Sequence, residues 1–468
     1  MTPAAGADRA QVAVVGGGIT GLAAAHSLVG DGVDVTVLEA SDRLGGKVWS
    51  TSFAGLPSVE CGADMFLVRS PAAVDLARAV GLAGDLVPPA SQSAYVWSDG
   101  ALHRLPAGLI LGAPAALWPM ARSGLLSWRG KARAAMEPLL PRGDAGDNLG
   151  AMIRARFGDE VLERLVGPLV GGINAGDADH LSLRAVTPQL AEAQSSHRSL
   201  LLGLRAQSRT ATGTGPPFLA PRSGMTALVE RLAGAVAAGG GDIRLRAPVD
   251  GLEPQGGRWR LEVGGPSPAT LDVDAVVLGI PAPDVAGLLD AVSAEAATTL
   301  RSIAYASVAL VTLAVPATAI ARPLSGSGYL VPRSEQRTIT ACSWGSAKWA
   351  HWRVPGQVVM RVSAGRAGDE HALDLDDDAL TAAVLSDLDR HVGLRGQPSD
   401  IRITRWWRSM PQYAPGHVER IDALMTAVHE DAPGLHLAGA AYRGLGLPAC
   451  IAQGQAAARA VLATVGRR

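Results

Sequence analysis

The chain has 468 residues, 48% of them apolar and 18% charged, and its formal net charge is −1. This length predicts two or three domains, the composition excludes a disordered chain, and the balanced charge argues against nucleic-acid binding. The three cysteines are far apart in sequence, which excludes a disulfide framework and a zinc site and favours a reducing compartment.

The first predicted elements are a strand, a tight turn and a helix. A strand predicted at Gln11–Val15 precedes glycines with G-x-G-x-x-G spacing at Gly16, Gly18 and Gly21. Gly16 allows the sharp turn, Gly18 lets a pyrophosphate approach the backbone, and Gly21 lets the helix pack on the strand. A second strand ends at Glu39, whose carboxylate can accept hydrogen bonds from a ribose diol. Together these features predict dinucleotide binding; the alternative is a βα turn that binds nothing.

The next residues distinguish flavin from nicotinamide nucleotides by resemblance. The stretch ASDRLGGKVWS (40–50) resembles the R-x-G-G-[RKW] segment of the FAD-dependent amine oxidase superfamily, which wraps around the flavin's phosphates. The stretch VECGADMF (59–66) resembles the E-x-G-[APG] segment, which lies along the isoalloxazine edge. A nicotinamide enzyme needs neither segment, so FAD is the predicted cofactor. The resemblance implies cofactor contacts for Ala40, Arg43, Gly46, Lys47, Gly62, Ala63, Asp64 and Met65.

A long region with helical spacing of apolar residues follows, roughly residues 70–205. Its longest uncharged run, between Arg104 and Arg122, contains three prolines and is too short to span a bilayer. Contact of residues 105–121 with lipid is a hypothesis. The first ten residues lack the apolar core of a signal peptide. We therefore expect a cytoplasmic protein, with peripheral membrane contact at most.

Strand signals return at 218–254 and 258–281, and strands alternate with helices at 291–414. The segment around Val249 resembles the part of the superfamily that contacts the adenine. We predict an α/β (α+β multidomain) fold with a mixed-sheet substrate domain and a helical insertion. The predicted Rossmann-like FAD-binding domain of the amine oxidase type is discontinuous. The boundaries are 10–66, 218–290 and 415–468 for the FAD-binding domain, 67–217 for the helical region, and 291–414 for the substrate domain.

The C-terminal stretch GLHLAGAAYRGLGLPACIAQG predicts a second strand–turn–helix unit. The strand is expected at Leu435–Ala438, the turn at Gly439–Gly446, and the helix from near Pro448, a residue type that suits a first helical turn. The N-terminus of this helix would face the flavin's pyrimidine edge, where negative charge collects on reduction. The alternative is a purely structural βα unit. The candidate cofactor residues here are Gly439, Leu445, Gly446 and Leu447.

Over nearly its whole length the chain resembles the protoporphyrinogen/coproporphyrinogen oxidase family. The stretches that carry this resemblance are VAVVGGGITGLAAAHSL, GPLVGGINAGDADHLSLRA, ACSWGSAKW, MPQYAPGH and GAAYRGLGLPACIAQG. The resemblance implies FAD-dependent oxidation of a porphyrinogen, with dioxygen as acceptor and hydrogen peroxide as product. The alanine- and arginine-rich composition is typical of actinobacteria, and Gram-positive members mostly oxidise coproporphyrinogen III. That substrate is favoured, protoporphyrinogen IX is the alternative, and a downstream chelatase is an expected partner. A quinone could replace dioxygen as acceptor.

The candidate substrate-binding residues are Arg69, Gly171, Asn174 and Lys348. Family members with a basic residue at the position of Arg69 turn it towards the substrate cavity, and arginine suits a propionate. The Gly171 backbone could approach a flat macrocycle, with the Asn174 amide beside it; the alternative is a helix-breaking hinge. Lys348 could reach a carboxylate or a flavin-bound water, or be a surface lysine.

Trp406 aligns with a family tryptophan near the flavin, although a core role is the alternative. The chemistry requires neither a catalytic triad nor a metal, because the flavin carries the redox step. A flavin amine oxidase is less favoured, since those enzymes commonly place a lysine in the strand that corresponds to residues 302–313, which contain none. A carotene desaturase would need a more apolar tunnel. A flavin-free carrier on the same fold is the non-enzyme alternative.

Overall fold

The computed structural model describes residues 9–143, 146–210 and 215–466. The strands are β1 (Gln11–Val15), β2 (Asp34–Leu38), β3 (Ser50–Phe53), β4 (Leu56–Glu60), β5 (Phe66–Leu67), β6 (Leu86–Val87), β7 (Ala94–Ser98), β8 (Ala101–Arg104), β9 (Leu109–Ile110), β10 (Ala113–Pro114), β11 (Phe218–Pro221), β12 (Asp242–Arg244), β13 (Val249–Gln255), β14 (Arg258–Val263), β15 (Ala269–Val273), β16 (Ala275–Leu278), β17 (Tyr305–Pro316), β18 (Gly328–Leu330), β19 (Ile339–Ser343), β20 (Gln357–Ala364), β21 (Asp400–Pro411) and β22 (Leu435–Leu437).

The α-helices are α1 (Ile19–Gly30), α2 (Ala72–Ala79), α3 (Leu117–Ala121), α4 (Trp128–Ala135), α5 (Leu149–Phe157), α6 (Asp159–Val161), α7 (Gly167–Asn174), α8 (Leu183–Val186), α9 (Pro188–Ser196), α10 (Leu200–Thr210), α11 (Thr226–Ala238), α12 (Ala282–Leu289), α13 (Ala294–Arg301), α14 (Gly345–Lys348), α15 (His371–Asp374), α16 (Asp377–Val392), α17 (His417–Asp431) and α18 (Leu447–Val465).

A five-stranded parallel sheet with the order β12-β2-β1-β16-β22 brings distant parts of the chain together. Its central strands, β1 after its first residue and β16, are continuous buried apolar runs, as strands covered on both faces should be. One face packs against α1, α11 and α18, and the other against α12, α13, α17 and the antiparallel meander β13-β14-β15. The helices α1 and α18 approach closely because Gly454 lies where a methyl group would be 2.2 Å from the Thr20 carbonyl.

A seven-stranded mixed sheet with the order β21-β17-β20-β19-β18-β7-β8 forms the second large layer. Its pairs are antiparallel except β18 with β7. Alternate residues of β17 and β20 pack with α16 in one apolar cluster, which leaves the opposite face towards the loop after β4. The predicted fold class, with a Rossmann-like sheet and a mixed sheet, is confirmed.

The region predicted to be helical at 70–205 contains strands as well. Short strands β6 to β10 occupy part of it, and β7 and β8 extend the edge of the mixed sheet. Residues 105–121 form β9, β10 and α3 instead of a long helix. Helices α4 to α10 then pack around a separate apolar cluster. Within the ranges described, no helix is long and apolar enough to cross a membrane.

Candidate functional site

The turn after β1 has the geometry that its glycines predict. Gly16 adopts φ +100°, and a methyl group at Gly21 would lie 1.9 Å from the Gly16 carbonyl oxygen, so neither position tolerates a side chain. A methyl group at Gly18, by contrast, would have no protein atom within 4 Å. Gly18 therefore borders open space directly before the N-terminus of α1, where backbone N–H groups favour a phosphate anion.

Glu39 lies at the carboxyl end of β2, beside this turn. Its carboxylate accepts hydrogen bonds from the backbone N–H of Gly17 (2.7 Å) and from the backbone N–H (2.9 Å) and hydroxyl (2.7 Å) of Ser41. Ala40 is exposed between these residues. Val249 begins β13 two residues after Ala247, whose N–H donates to the Glu39 carbonyl. The ribose and adenine candidates therefore lie at one end of the parallel sheet.

The R-x-G-G segment borders the open space at Gly18, and the surface formed by Gly18, Gly45 and Gly46 is the start of a trough. Gly45 forms a parallel bridge with Gly18 and donates its N–H to the Gly17 carbonyl (2.8 Å). A methyl group at Gly46 would lie 3.6 Å from the Gly18 Cα atom. Arg43 holds this loop by donating to the carbonyl of Gly46 (2.9 Å). The two glycine-rich segments thus form one surface without side chains.

The loop after β4 lies against the next residue of this wall. A methyl group at Gly62 would be 2.0 Å from the Lys47 carbonyl oxygen, and the Ala63 N–H donates to that same oxygen (3.4 Å). Lys47 donates from Nζ to the carbonyl of Ser409 (2.5 Å). Met65 packs partly buried against the neighbouring apolar cluster. The trough therefore extends from Gly18 along residues 46–65.

Trp406, on β21, contacts this loop from the mixed sheet. Its indole Nε1 donates to the carbonyl of Cys61 (2.7 Å), and its ring would lie 3.5 Å from a methyl group at Gly62. Lys348 is buried and pairs with Asp64 across 2.6 Å, so the surface-lysine alternative is wrong. Its carboxylate partner is part of the protein.

The C-terminal loop closes the trough beside the N-terminus of α18. Gly439 is in the left-handed region at φ +142° and has open space where a side chain would be. Tyr413 braces the loop, because its hydroxyl donates to the carbonyl of Ala440 and accepts the N–H of Gly444 (3.1 Å). Pro448 lies in the first turn of α18, as predicted. The remaining candidates, Leu445, Gly446 and Leu447, form the entry to this helix.

The other substrate candidates lie on two elements, because Arg69 follows β5 whereas Gly171 and Asn174 are both on α7. Arg69 is exposed and follows β5 by two residues. Gly171 lies within α7, which continues to Asn174, so the helix-breaking hinge is wrong. A methyl group at Gly172 would lie 2.9 Å from Leu330, so this glycine permits close packing of α7 on β18. Asn174 is buried, and its side-chain NH2 group donates to the Val170 carbonyl (3.1 Å). The amide expected to contact the substrate is therefore engaged in a hydrogen bond within α7.

Three residues that line or support the site were missed from the sequence. Glu60 lies within a segment already singled out, Tyr413 lies within MPQYAPGH, and Arg361 is the single charge in the apolar strand β20. An isolated charge in a buried strand requires a partner. That signal identifies Arg361 as unusual, but it does not reveal the partner.

These walls fit FAD. The open surface at Gly18 and Gly46 accommodates a pyrophosphate, Glu39 stands beside it for a ribose, and the trough continues to Trp406 and the α18 N-terminus. The model of flavin-containing amine oxidoreductases matches residues 19–462. The chain belongs to this family, and its cofactor is FAD.

Particular relatives narrow the comparison. The chain is 37% identical to the coproporphyrinogen III oxidase of Bacillus subtilis (strain 168), over 95% of this chain and 96% of that protein. It is 29% identical to the protoporphyrinogen oxidase of Bos taurus, over 97% and 98%. A solved structure from Exiguobacterium sp. 255-15 superposes with a TM-score of 0.86 at 33% identity, covering 98% of this chain and 99% of that one.

Proposed function

We propose that the protein is an oxygen-dependent FAD oxidase that converts coproporphyrinogen III to coproporphyrin III in haem biosynthesis. The observation that carries this proposal is the 37% identity to a coproporphyrinogen III oxidase along nearly the full length of both chains. The continuous trough for FAD supports the same reaction class. The bovine relative makes protoporphyrinogen IX the second candidate substrate.

The reaction balances as three two-electron oxidations. Each removes a hydride from a methylene bridge and a proton from a pyrrole N–H, and three dioxygen molecules become three hydrogen peroxide molecules. A final proton shift from the fourth methylene bridge to a pyrrole nitrogen then gives the porphyrin, with four CH bridges and two N–H groups. When bound, the flavin supplies the two-electron redox chemistry, and the protein supplies position and electrostatics. In this proposal Arg69 binds a propionate of the substrate. Trp406 and the Gly62 loop form the wall that would hold the flavin.

A paired turnover assay tests the substrate. The purified flavoprotein is mixed in air with coproporphyrinogen III or protoporphyrinogen IX, and porphyrin fluorescence is followed against a boiled control, because porphyrinogens also oxidise unaided. Faster formation of coproporphyrin supports the proposal. Preference for protoporphyrinogen IX retains the chemistry and replaces the substrate. Turnover of neither by a flavin-loaded protein rejects both.

Peripheral membrane contact and a chelatase partner are finer parts of the proposal. Trp118 and Trp128 are 71% and 72% exposed, and each has a neighbouring arginine near its ring. Such aromatic–arginine pairs suit the headgroup region of a bilayer. In a flotation assay with anionic vesicles, the wild type should float with the vesicles and the W118S/W128S variant should not. Absence of wild-type binding rejects the contact.

The metal-free product implies a chelatase as the next enzyme.

A further inference from the structure

Four ionisable side chains, three of them buried and one partly buried, lie where the loop after β4 meets the mixed sheet. This charge cluster consists of Glu60, Asp64, Lys348 and Arg361. Glu60, Lys348 and Arg361 are 3%, 7% and 8% exposed. The Asp64 carboxylate contacts both cations, at 2.6 Å from Lys348 Nζ and 3.4 Å from Arg361 Nη1. Burying so many charges is costly unless they are paired, so the arrangement requires an explanation.

The charge cluster joins two layers of the fold. Both acids come from β4 and its following loop, whereas Lys348 ends α14 and Arg361 lies in β20. Arg361 also donates from Nη2 to the carbonyl of Gly62 (2.5 Å). Gly62 packs directly on the Lys47 carbonyl in the wall of the trough. Arg361 therefore holds this wall through Gly62, and Lys348 holds it through Asp64, both from the side of the mixed sheet.

The charges in this cluster do not cancel. Burial opposes the ionisation of Asp64, but Lys348 and Arg361 overcome it and hold the pKa of Asp64 at about 2. Burial raises the pKa of Glu60 to about 7, so much of this carboxyl is neutral at pH 7. Arg402 adds a cation beside it by donating to the Val59 carbonyl (2.9 Å). Lys348, Arg361 and Arg402 therefore accompany an ionised Asp64 and a partly neutral Glu60, and Asp400 is a further acid that acts on Arg402.

We propose that Lys348 and Arg361 are positioning residues that fix the wall of the flavin trough and give the flavin site a positive potential. Reduction of a flavin adds negative charge, and fixed cations in a poorly solvated site stabilise that charge. The arrangement therefore makes the bound flavin a stronger oxidant. The inference rests on the FAD binding in the proposed function and is independent of which porphyrinogen is oxidised.

The test is the midpoint potential of the bound FAD, measured by reductive titration against a redox dye without any porphyrinogen. Lys348→Met should make flavin reduction at least tenfold less favourable, a fall of about 30 mV for a two-electron couple. Lys131→Met makes the same chemical change in α4 and should leave the potential unchanged. Lys348→Arg keeps the charge and should retain most of the wild-type potential. Asp64→Asn should shift the potential upwards.

Opposite shifts for Lys348→Met and Asp64→Asn support a field effect, because a general packing defect does not reverse sign with charge. Equal potentials in Lys348→Met, Asp64→Asn and Lys131→Met overturn the inference, as do shifts in the same direction. If Lys348→Met does not bind flavin, Asp64→Asn decides alone: a raised potential supports the inference, and an unchanged or lowered one rejects it. Failure to oxidise coproporphyrinogen III would reject the proposed substrate without altering these potentials.

Discussion

Gly18→Ala should separate cofactor binding from folding. The glycine has φ −71° and ψ 175°, which alanine adopts freely, and a methyl group there meets no protein atom within 4 Å. The free energy of unfolding of the apoprotein should therefore fall by no more than about 1 kcal/mol, the scale of a helix N-cap change. The methyl group would occupy space that the trough leaves for the pyrophosphate. Loss of two charge-assisted hydrogen bonds, each about 1.5–3 kcal/mol, predicts FAD binding at least a hundredfold weaker.

Two other glycines of α1 provide the controls. Gly30→Ala makes the same change in open space at the far end of the helix, and it should leave FAD binding unchanged. Gly21→Ala places a methyl group 1.9 Å from the Gly16 carbonyl oxygen and should destabilise the apoprotein itself. FAD titration of each apoprotein, together with thermal unfolding, measures both quantities. Wild-type affinity in Gly18→Ala, or unfolding as easy as in Gly21→Ala, would refute the reasoning.

Three further substitutions test the site. Glu60→Gln should remove a pH dependence of stability: because burial raises the pKa of Glu60 from 4.5 to about 7, the wild type loses up to about 3 kcal/mol, relative to the variant, as pH rises from 4.5 to 7. Denaturant unfolding at several pH values measures this difference, and parallel profiles would contradict it. Arg69→Ala should raise the KM for coproporphyrinogen III about tenfold with little change in kcat, through loss of one propionate contact; an unchanged KM in steady-state assays places the carboxylate elsewhere. Tyr413→Phe should lower the free energy of unfolding by about 1–3 kcal/mol, because it leaves the partly buried Ala440 carbonyl and Gly444 N–H without this partner; unfolding curves identical to the wild type would show that the hydroxyl is dispensable.

Local rules predicted the ends of the chain well. Local backbone geometry determines both the turn at Gly16, Gly18 and Gly21 and the helix start at Pro448, so each can be predicted from a few neighbouring residues. The β7–β8 hairpin is local and was missed because residues 70–205 were interpreted as helical. The pairing of β7 with β18 could not be predicted, because these two strands lie more than 200 residues apart. The pairing of Lys348 with Asp64 was missed for the same reason. Sequence pattern identifies an element or an unusual charge, whereas tertiary packing chooses its partner.

The strands of the parallel sheet are far apart in sequence, so they are synthesised at different times. Val12 of β1 pairs with Ala275, and the outer strand β22 begins only at Leu435. At a synthesis rate of about 5–20 residues per second, roughly 20–80 seconds separate translation of these strands. The first glycine turn is thus made long before the loop and helix that complete the other end of the trough. FAD therefore binds late, after the last strands have been synthesised. Because it binds the folded chain, FAD then stabilises the completed fold.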